Sequence, residues 1–229
     1  MGGTGDSTAP KRTAIIGVTG YGAAHLKLLL DAHARGVLAP VGATVINPGE
    51  ARREIDSLES AGCRVFRDYR AMLGEMAGSL DLLLVPTAIH WHAPMTCAGL
   101  EAGANVLVEK PLAGSLEDAE RICEAERVSG RRVFVGFQTM YLPFVWKLKR
   151  RILAAEFGDL RRVRGIALWP RAHAYYRRNG WAGTFEADGK PVFDSPLNNA
   201  VSHYLNLLLF LAGSDPDSSA RAGAVAGSL

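Results

Sequence analysis

A glycine-rich turn, a lysine at a strand end and a histidine at a polar helix start are the residues of this chain best suited to act together on a ligand. The turn is Gly17-Val18-Thr19-Gly20-Tyr21-Gly22, into which the short apolar run Thr13–Val18 leads. Between a strand and a helix, such a turn cradles a diphosphate. Its first glycine allows the tight bend, the second lets the backbone approach the phosphates, and the third lets the helix pack on the strand. Gly17 and Gly22 fit the first and third places, while Thr19 holds the second with Gly20 just after it. A Cβ at Thr19 crowds the diphosphate unless the loop shifts, and Gly20 permits such a shift. Amides at the helix N-terminus would then bind the phosphates. The competing reading is a plain strand-to-helix turn.

Further along, the second β run ends at Asn47. A carboxylate there would bind the ribose 2′-hydroxyl of NAD. Asn47 can still hydrogen-bond a hydroxyl and does not repel a 2′-phosphate, and Arg52 and Arg53 follow closely, so NAD and NADP both stay open. Glu109-Lys110-Pro111 closes another strand. A lysine beside a nicotinamide can exchange a proton with a substrate hydroxyl while hydride moves, and can steady negative charge on oxygen. Partial desolvation lowers its pKa toward the useful range. In the last third, Asn198-Asn199-Ala200-Val201-Ser202-His203 opens a helix that becomes as apolar as Leu205–Leu211. His203 reads there as a site residue or as a packed core histidine, and Asn198 as a cap. The cluster Tyr175–Gly183 combines stacking aromatics, a cationic fork and amides, which suit a polyhydroxylated or acidic substrate. Tyr176, Asn179 and Trp181 are its candidate contacts, and a surface loop packed by its own aromatics is the alternative.

The elements that must position these residues alternate strand and helix from residue 13 to 136. The expected strands are Thr13–Val18, Val41–Ile46, Arg64–Phe66, Leu80–Val85, Asn105–Glu109 and Arg132–Gly136. The expected helices are Gly22–Ala34, with His25, Leu28, Leu29 and Ala32 on one stripe, then Glu50–Ala61, Tyr69–Met76, His92–Ala102 and Leu116–Ser129. The last is opened by Ser115 with Asp118 three residues on and closed by Gly130. Leu80–Val85 is a continuous apolar run, as a strand buried on both faces should be. Six strands alternating with helices imply an α/β fold, a doubly wound parallel sheet of Rossmann type. After Gly136 the texture changes. Pro143–Glu156 is a basic helix, Arg161–Trp169 a strand of a different sheet, Pro170–Pro196 a long irregular loop and Asn198–Leu211 a helix. The expected organisation is a disordered tail over 1–11, a dinucleotide-binding domain over 12–137 and a partial α+β second domain over 138–229.

Composition bounds the class. The chain has 229 residues, 48% hydrophobic and 21% charged, enough apolar material for a packed core and too much for disorder. No apolar run approaches the ~20 residues of a membrane helix. The net charge is +3, yet residues 147–180 carry a local +8, leaving −5 for the remainder. One basic segment could suit an anionic ligand, but no nucleic-acid-binding signature accompanies it. Cys63, Cys97 and Cys123 are odd in number and widely spaced, which suggests neither a metal site nor a disulfide framework and fits a cytoplasmic protein.

Asn105-Val106-Leu107-Val108-Glu109-Lys110-Pro111-Leu112 resembles the hallmark of the glucose–fructose oxidoreductase/inositol dehydrogenase/rhizopine-catabolism (Gfo/Idh/MocA) family. Asp81–Pro111 resembles that family throughout, including His90, His92, Ala93-Pro94 and Glu101-Ala102-Gly103. The match extends through the first 137 residues and more loosely to Gly213. The resemblance implies an NAD(P)-dependent oxidoreductase acting on CH–OH groups of a sugar, polyol or related compound. It implies cofactor contacts at Gly17, Thr19, Gly20, Tyr21, Gly22, Asn47, Thr87, His90, Glu109, Lys110 and Gln138. Lys110 matches the family's lysine that touches substrate and nicotinamide, and Pro111 follows a peptide bond that is often cis. Thr87-Ala88-Ile89 stands where members often carry Thr-Pro-Asn. His203 matches the general acid/base. Asn199 occupies the slot of an aspartate four residues earlier and joins the substrate contacts, with Asp194 nearby but out of register. No metal, membrane or nucleic-acid partner is implied. A homo-oligomer through the second-domain sheet is. Members are longer, so the second domain reads as unfinished, and a non-catalytic dinucleotide-binding module or inactive truncated member is the alternative function.

Overall fold

The computed structural model describes residues 9–226. Most of the tail read over 1–11 lies outside them, and Lys11 already belongs to the first strand. The described chain divides into two compact units. The first holds residues up to Gly136 together with Glu186–Val192, so it is discontinuous in sequence, unlike the linear division read from composition.

In the first unit, six parallel strands form one sheet: β1 (Lys11–Ile16), β2 (Leu38–Thr44), β3 (Arg64–Phe66), β4 (Leu82–Val85), β5 (Asn105–Val108) and β6 (Val133–Val135). Their spatial order is β3-β2-β1-β4-β5-β6, the doubly wound arrangement expected. Side chains alternate across a strand, and β1 shows both consequences. Ala14 and Ile16 join one core with Leu83, Val85, Val106 and Val108. Ile15 joins another with Ala43 and Leu84. The helices α1 (Gly22–Ala34) and α2 (Arg52–Ser60) cover the Ile15 face through Leu26, Leu29 and Leu58. The opposite face is covered by α3 (Tyr69–Glu75), α4 (Ile89–Glu101) and α5 (Leu116–Ser129), through Tyr69, Met72, Met95 and Leu100 among others.

Local chemistry sets most element ends. Ser115 Oγ accepts the Asp118 amide at 3.1 Å to open α5, and Gly130 closes it in the left-handed region at φ 65°. Asp68 caps α3 through the Ala71 amide at 2.8 Å. One helix start differs. The sequence reading begins this helix at His92. Instead α4 begins at Ile89 and carries Pro94 inside it. The added residues Ile89 and His90 are both buried.

The first unit also takes in a two-stranded hairpin, β7 (Glu186–Ala187) with β8 (Lys190–Pro191), inside the stretch expected to be irregular. Its turn is Asp188-Gly189, both at positive φ (51° and 69°). Asp-Gly is a preferred pair for such a turn, a signal present in the sequence. The hairpin is anchored on the first unit. Pro191 carbonyl lies where a Cβ on Gly114 would be, so only glycine fits at 114. Lys190 Nζ sits 4.4 Å from the Trp91 ring centroid.

The second unit contains a 3₁₀ turn (Gln138–Tyr141), α6 (Pro143–Leu153), the one-turn α7 (His173–Tyr176), a π-helical turn (Pro196–Ala200) and α8 (Ser202–Ala212). Arg161–Trp169, expected to be a strand, has no regular structure. Among the described residues no neighbouring strand supplies a ladder, and an isolated strand cannot satisfy its backbone. The sheet expected to carry a homo-oligomer contact is therefore not formed among the described residues. Ile166 and Leu168 stay largely exposed. The order of the unit comes from α6 and α8. Trp146 packs edge-on to Phe210 at 5.2 Å and donates through Nε1 to Met140 carbonyl at 2.6 Å. Lys149 is fully buried. Its ammonium donates to Phe210 carbonyl at 2.6 Å, to Gly213 carbonyl, and to Ser218 carbonyl at 3.5 Å. Burial pushes its pKa below the ordinary lysine value, and Asp215 opposes that shift. A cation at a helix C-terminus also meets the negative end of the dipole. No described helix is long and apolar enough to cross a membrane.

Lys149→Met keeps the stem and leaves those carbonyls without their donor. We expect a loss of about 2–4 kcal/mol, read as a lower urea midpoint for the transition followed by tryptophan fluorescence.

Candidate functional site

The strand order reverses between β1 and β4. The helix after β1 leaves to one face and the helix after β4 to the other, which opens a crevice at the carboxyl ends of the two strands. Three loops border it: Gly17–Gly22 after β1, Pro86–Ala88 after β4 and Glu109–Pro111 after β5.

The glycine turn has the geometry its sequence suggests. Gly17 lies at φ 87° and Gly20 at φ 57°, both in the region that favours glycine. The Gly17 amide donates to Thr44 carbonyl at 3.0 Å, tying the turn to β2. A Cβ on Gly22 would lie 2.5 Å from Gly17 carbonyl oxygen, so the helix start is packed directly on the turn. Thr19 and Tyr21 are exposed on it. No side chain caps α1 and no acidic residue stands in its first turn, so an anion meets no competitor there. Thr87, whose methyl faces Gly17, has a buried Oγ1 without a hydrogen-bond partner among the described residues. A left-handed glycine turn, an uncapped helix start and an orphaned hydroxyl fit a dinucleotide. Asn47 is exposed three residues past β2, with its carbonyl accepting the Glu50 amide at 3.1 Å.

His92 is 1% exposed and ties two of these loops together. Nδ1 lies 2.7 Å from Pro111 carbonyl and Nε2 lies 3.0 Å from Thr87 carbonyl. A neutral imidazole donates to only one of them. Burial pushes its pKa down, while the two carbonyls pull it up. With the ring this deeply enclosed, the downward direction prevails. His90, named from the sequence as a cofactor contact, is also buried and hydrogen-bonds Asp188 of the hairpin through Nε2 at 3.2 Å. Burial lowers its pKa and Asp188 opposes that.

Glu109 and Lys110 have divided roles. The Glu109 carboxylate is almost fully buried, so it needs partners. Oε1 meets His25 Nε2 at 2.9 Å and Oε2 accepts the Lys110 amide at 3.2 Å. A Cβ on Gly136 would come within 2.6 Å of Oε1. The lysine backbone is thereby held by the residue before it, and the Lys110–Pro111 peptide is cis. Tyr21 stacks edge-on to His25 at 5.7 Å, and its hydroxyl pKa is raised by burial and by the Glu109 charge. Sequence reasoning placed His25 on the apolar stripe of α1 and did not read it as a partner of Glu109. A histidine on an apolar stripe was the available signal. His92 stands out in the sequence only through the resemblance.

His203, Asn199, Gln138, Tyr176, Asn179 and Trp181 belong to the second unit. His203 lies in the first turn of α8, half-buried, with Phe137 edge-on at 5.7 Å. Gln138 is exposed at the start of the 3₁₀ turn. Asn199 sits in the π-helical turn opened by Ser195, whose Oγ accepts the Asn198 amide at 3.0 Å. Asp194 is out of register in sequence, yet Asn199 Nδ2 donates to its Oδ1 at 2.7 Å. The extended corner at Ser195 and the wide turn bring the two together. Asp194 Oδ2 accepts the Gly183 amide at 2.7 Å. Tyr176 and Asn199 share a cleft. Asn179 uses its side-chain oxygen on the Trp181 and Ala182 amides, and Trp181 lies 5.2 Å from the Arg178 guanidinium.

Two outcomes test this geometry. The unfolded chain binds more protons than the folded one once histidines with lowered pKa begin to titrate. Stability is therefore complete above the ordinary histidine value of about 6.5 and is lost as pH falls below it, at up to ~1.4 kcal/mol per pH unit for each group. Urea midpoints should drop between pH 7.5 and 5.5, and His92→Gln should flatten that drop. Gly22→Ala should weaken NADH binding at least tenfold by forcing the helix off the turn, as fluorescence titration would read.

Residues 11–137, more than half the chain, match the family described as an oxidoreductase family with an NAD-binding Rossmann fold (GFO_IDH_MocA). An inositol 2-dehydrogenase of Corynebacterium glutamicum is 26% identical over 204 residues, covering 89% of this chain and 54% of that protein. Inositol 2-dehydrogenase 4 of Saccharopolyspora erythraea is 33% identical over 121 residues, covering 51% of this chain and 35% of that protein. Among solved structures, the WlbA dehydrogenase from Chromobacterium violaceum, in complex with NADH and UDP-GlcNAcA, aligns with TM-score 0.74 and 26% identity. That alignment covers 89% of this chain and 56% of that one. The chain thus spans about half the length of relatives that it matches almost end to end. With the strand order, the glycine turn and the Glu109-Lys110-Pro111 loop all in place, this chain belongs to the Gfo/Idh/MocA oxidoreductase family with its NAD-binding Rossmann fold.

Proposed function

We propose that the protein moves a hydride between a nicotinamide cofactor and a CH–OH or carbonyl carbon of a sugar, polyol or related compound. The observation that carries this reading is the anchoring of Lys110 beside the glycine turn. Its amide is held by Glu109, and His92 stands between the carbonyl of the following proline, 2.7 Å from Nδ1, and that of Thr87, 3.0 Å from Nε2, donating to one of them. A loop fixed at both ends delivers its lysine to one place, as a proton-transfer group requires.

Each residue then has a part. The Gly17–Gly22 turn and the uncapped α1 start hold the diphosphate. The Thr87 hydroxyl takes a polar group of the nicotinamide half. The bound cofactor supplies hydride acceptance or donation. Lys110 holds or moves the proton of the substrate hydroxyl and steadies negative charge on its oxygen. His203 acts as the second acid/base, and Asn199, bonded to Asp194, orients the substrate. Asn47 in place of a carboxylate accommodates either NAD or NADP.

Titrations with NADH and NADPH, followed by nicotinamide fluorescence and melting temperature, should show saturable binding with a raised Tm. A substrate panel including myo-inositol and UDP-GlcNAcA should then show turnover. Lys110→Met should keep nucleotide binding and lose about 10²- to 10⁴-fold in kcat/KM. Turnover that survives in Lys110→Met rejects the lysine's role. Tight nucleotide binding with no turnover on any substrate favours the non-catalytic module.

A further inference from the structure

The second unit contains a cleft of about 200 Å³, lined among others by Trp169, Arg171, Tyr175, Tyr176, Asp194 and Asn199. It is small beside the ~300–1,000 Å³ of sites for whole drug-sized ligands, and ample for one charged group and the atoms next to it.

Arg171 is built into this cleft in an unusual way. Its guanidinium carbon lies 4.1 Å from the Trp169 ring centroid and 4.4 Å from that of Tyr175. Aromatic rings thus hold the cation and restrict its motion. Its Nε is buried and has no hydrogen-bond partner among the described residues. A buried donor without an acceptor is costly, and a charged one more so. What remains to satisfy it is the in-plane edge of the fork, the edge that matches two oxygens of a carboxylate or a phosphoryl group.

The other charges around the cleft agree. Asp194 is the acid that lines it, and both its oxygens already accept bonds, from the Gly183 amide and from Asn199 Nδ2. Arg178 lies 3.8 Å from the ring centroid of the same Tyr175, and its Nη1 donates to Tyr175 carbonyl at 2.7 Å. Arg177 is its exposed neighbour. Arg171 is the cation that lines the cleft, and the bonds on Asp194 leave that aspartate already engaged.

We propose that this cleft is an anion site, in which the edge of Arg171 takes a carboxylate or phosphoryl group. This inference rests on the oxidoreductase reading above for its connection to a reaction.

Three probes with the same ring separate the sources: D-glucose, D-glucuronate (a carboxylate) and D-glucose 1-phosphate (a phosphoryl group). Each is titrated calorimetrically into the full chain, with NADH binding measured separately. At least one anion should bind tenfold or more tighter than glucose, and the stronger of the two identifies the group. Arg171→Met should weaken that anion roughly 10- to 100-fold and leave NADH affinity unchanged. Arg171→Lys keeps charge and stem but not the fork. It should lose about tenfold, and it covers the case in which the Met variant does not fold. The proposal is overturned if neither anion binds, if glucose binds equally well, or if both variants bind the anion as the parent does. Loss of NADH binding or of Lys110-dependent turnover, with anion binding intact, would count against the oxidoreductase reading and leave this subsite standing.

Discussion

The centre of the first unit is a strand with no free side. β1 is paired in parallel with β2 on one edge and β4 on the other, and Thr13 through Ile16 are buried on both faces. A strand enclosed in this way must be covered by helices above and below, and right-handed crossovers then send the chain outward in two directions. The reversal beside β1 is therefore a consequence of enclosure. It leaves the ends of β1, β4 and β5 open along one edge, where the loops that carry the glycine turn, Thr87 and Lys110 emerge. If β1 lost either neighbour, the crevice would have no walls.

Next to that apolar frame stands a small set of buried polar groups, each held by another. Glu109 is held by His25 and by the Lys110 amide, His92 by one of the two carbonyls it lies between, and His90 by Asp188. Burial makes every one of these groups expensive to leave unpaired. Their cost is offset only when the loops sit in one arrangement. The same bonds that avoid an unpaired charge thus fix the backbone around Lys110. Gly136 and Gly114 contribute by what they lack, since a Cβ at either would push into Glu109 or into the hairpin.

The second unit is organised differently. Few of its residues are fully buried, and its order depends on specific polar and aromatic contacts: Lys149 on three carbonyls, Asp194 on Gly183 and Asn199, and the arginines stacked along Trp169, Tyr175 and Trp181. Guanidinium stacking on aromatics needs no regular secondary structure, so an irregular segment can still be well placed. This explains how the stretch after Trp169 builds a defined cleft without a sheet beneath it.

The sequence by itself determined the alternation of strands and helices through residue 136, and with it the doubly wound sheet. It also marked the glycine turn and the lysine at the end of β5. These follow from local information: apolar runs, caps such as Ser115 and Gly130, and the steric freedom of glycine. It misjudged Arg161–Trp169, because alternation signals a strand only where a neighbour completes the ladder. It passed over Asp188-Gly189, whose hairpin signal was diluted by irregular surroundings. The pairing of His25 with Glu109, the span of His92 between Thr87 and Pro111, and the meeting of Asp194 with Asn199 were decided by the tertiary structure alone. The first two join a helix residue to the loops that follow β4 and β5, and the third depends on a wide turn. A side-chain hydrogen bond forms only when folding brings donor and acceptor within about 3 Å, and nothing in the local pattern encodes that distance.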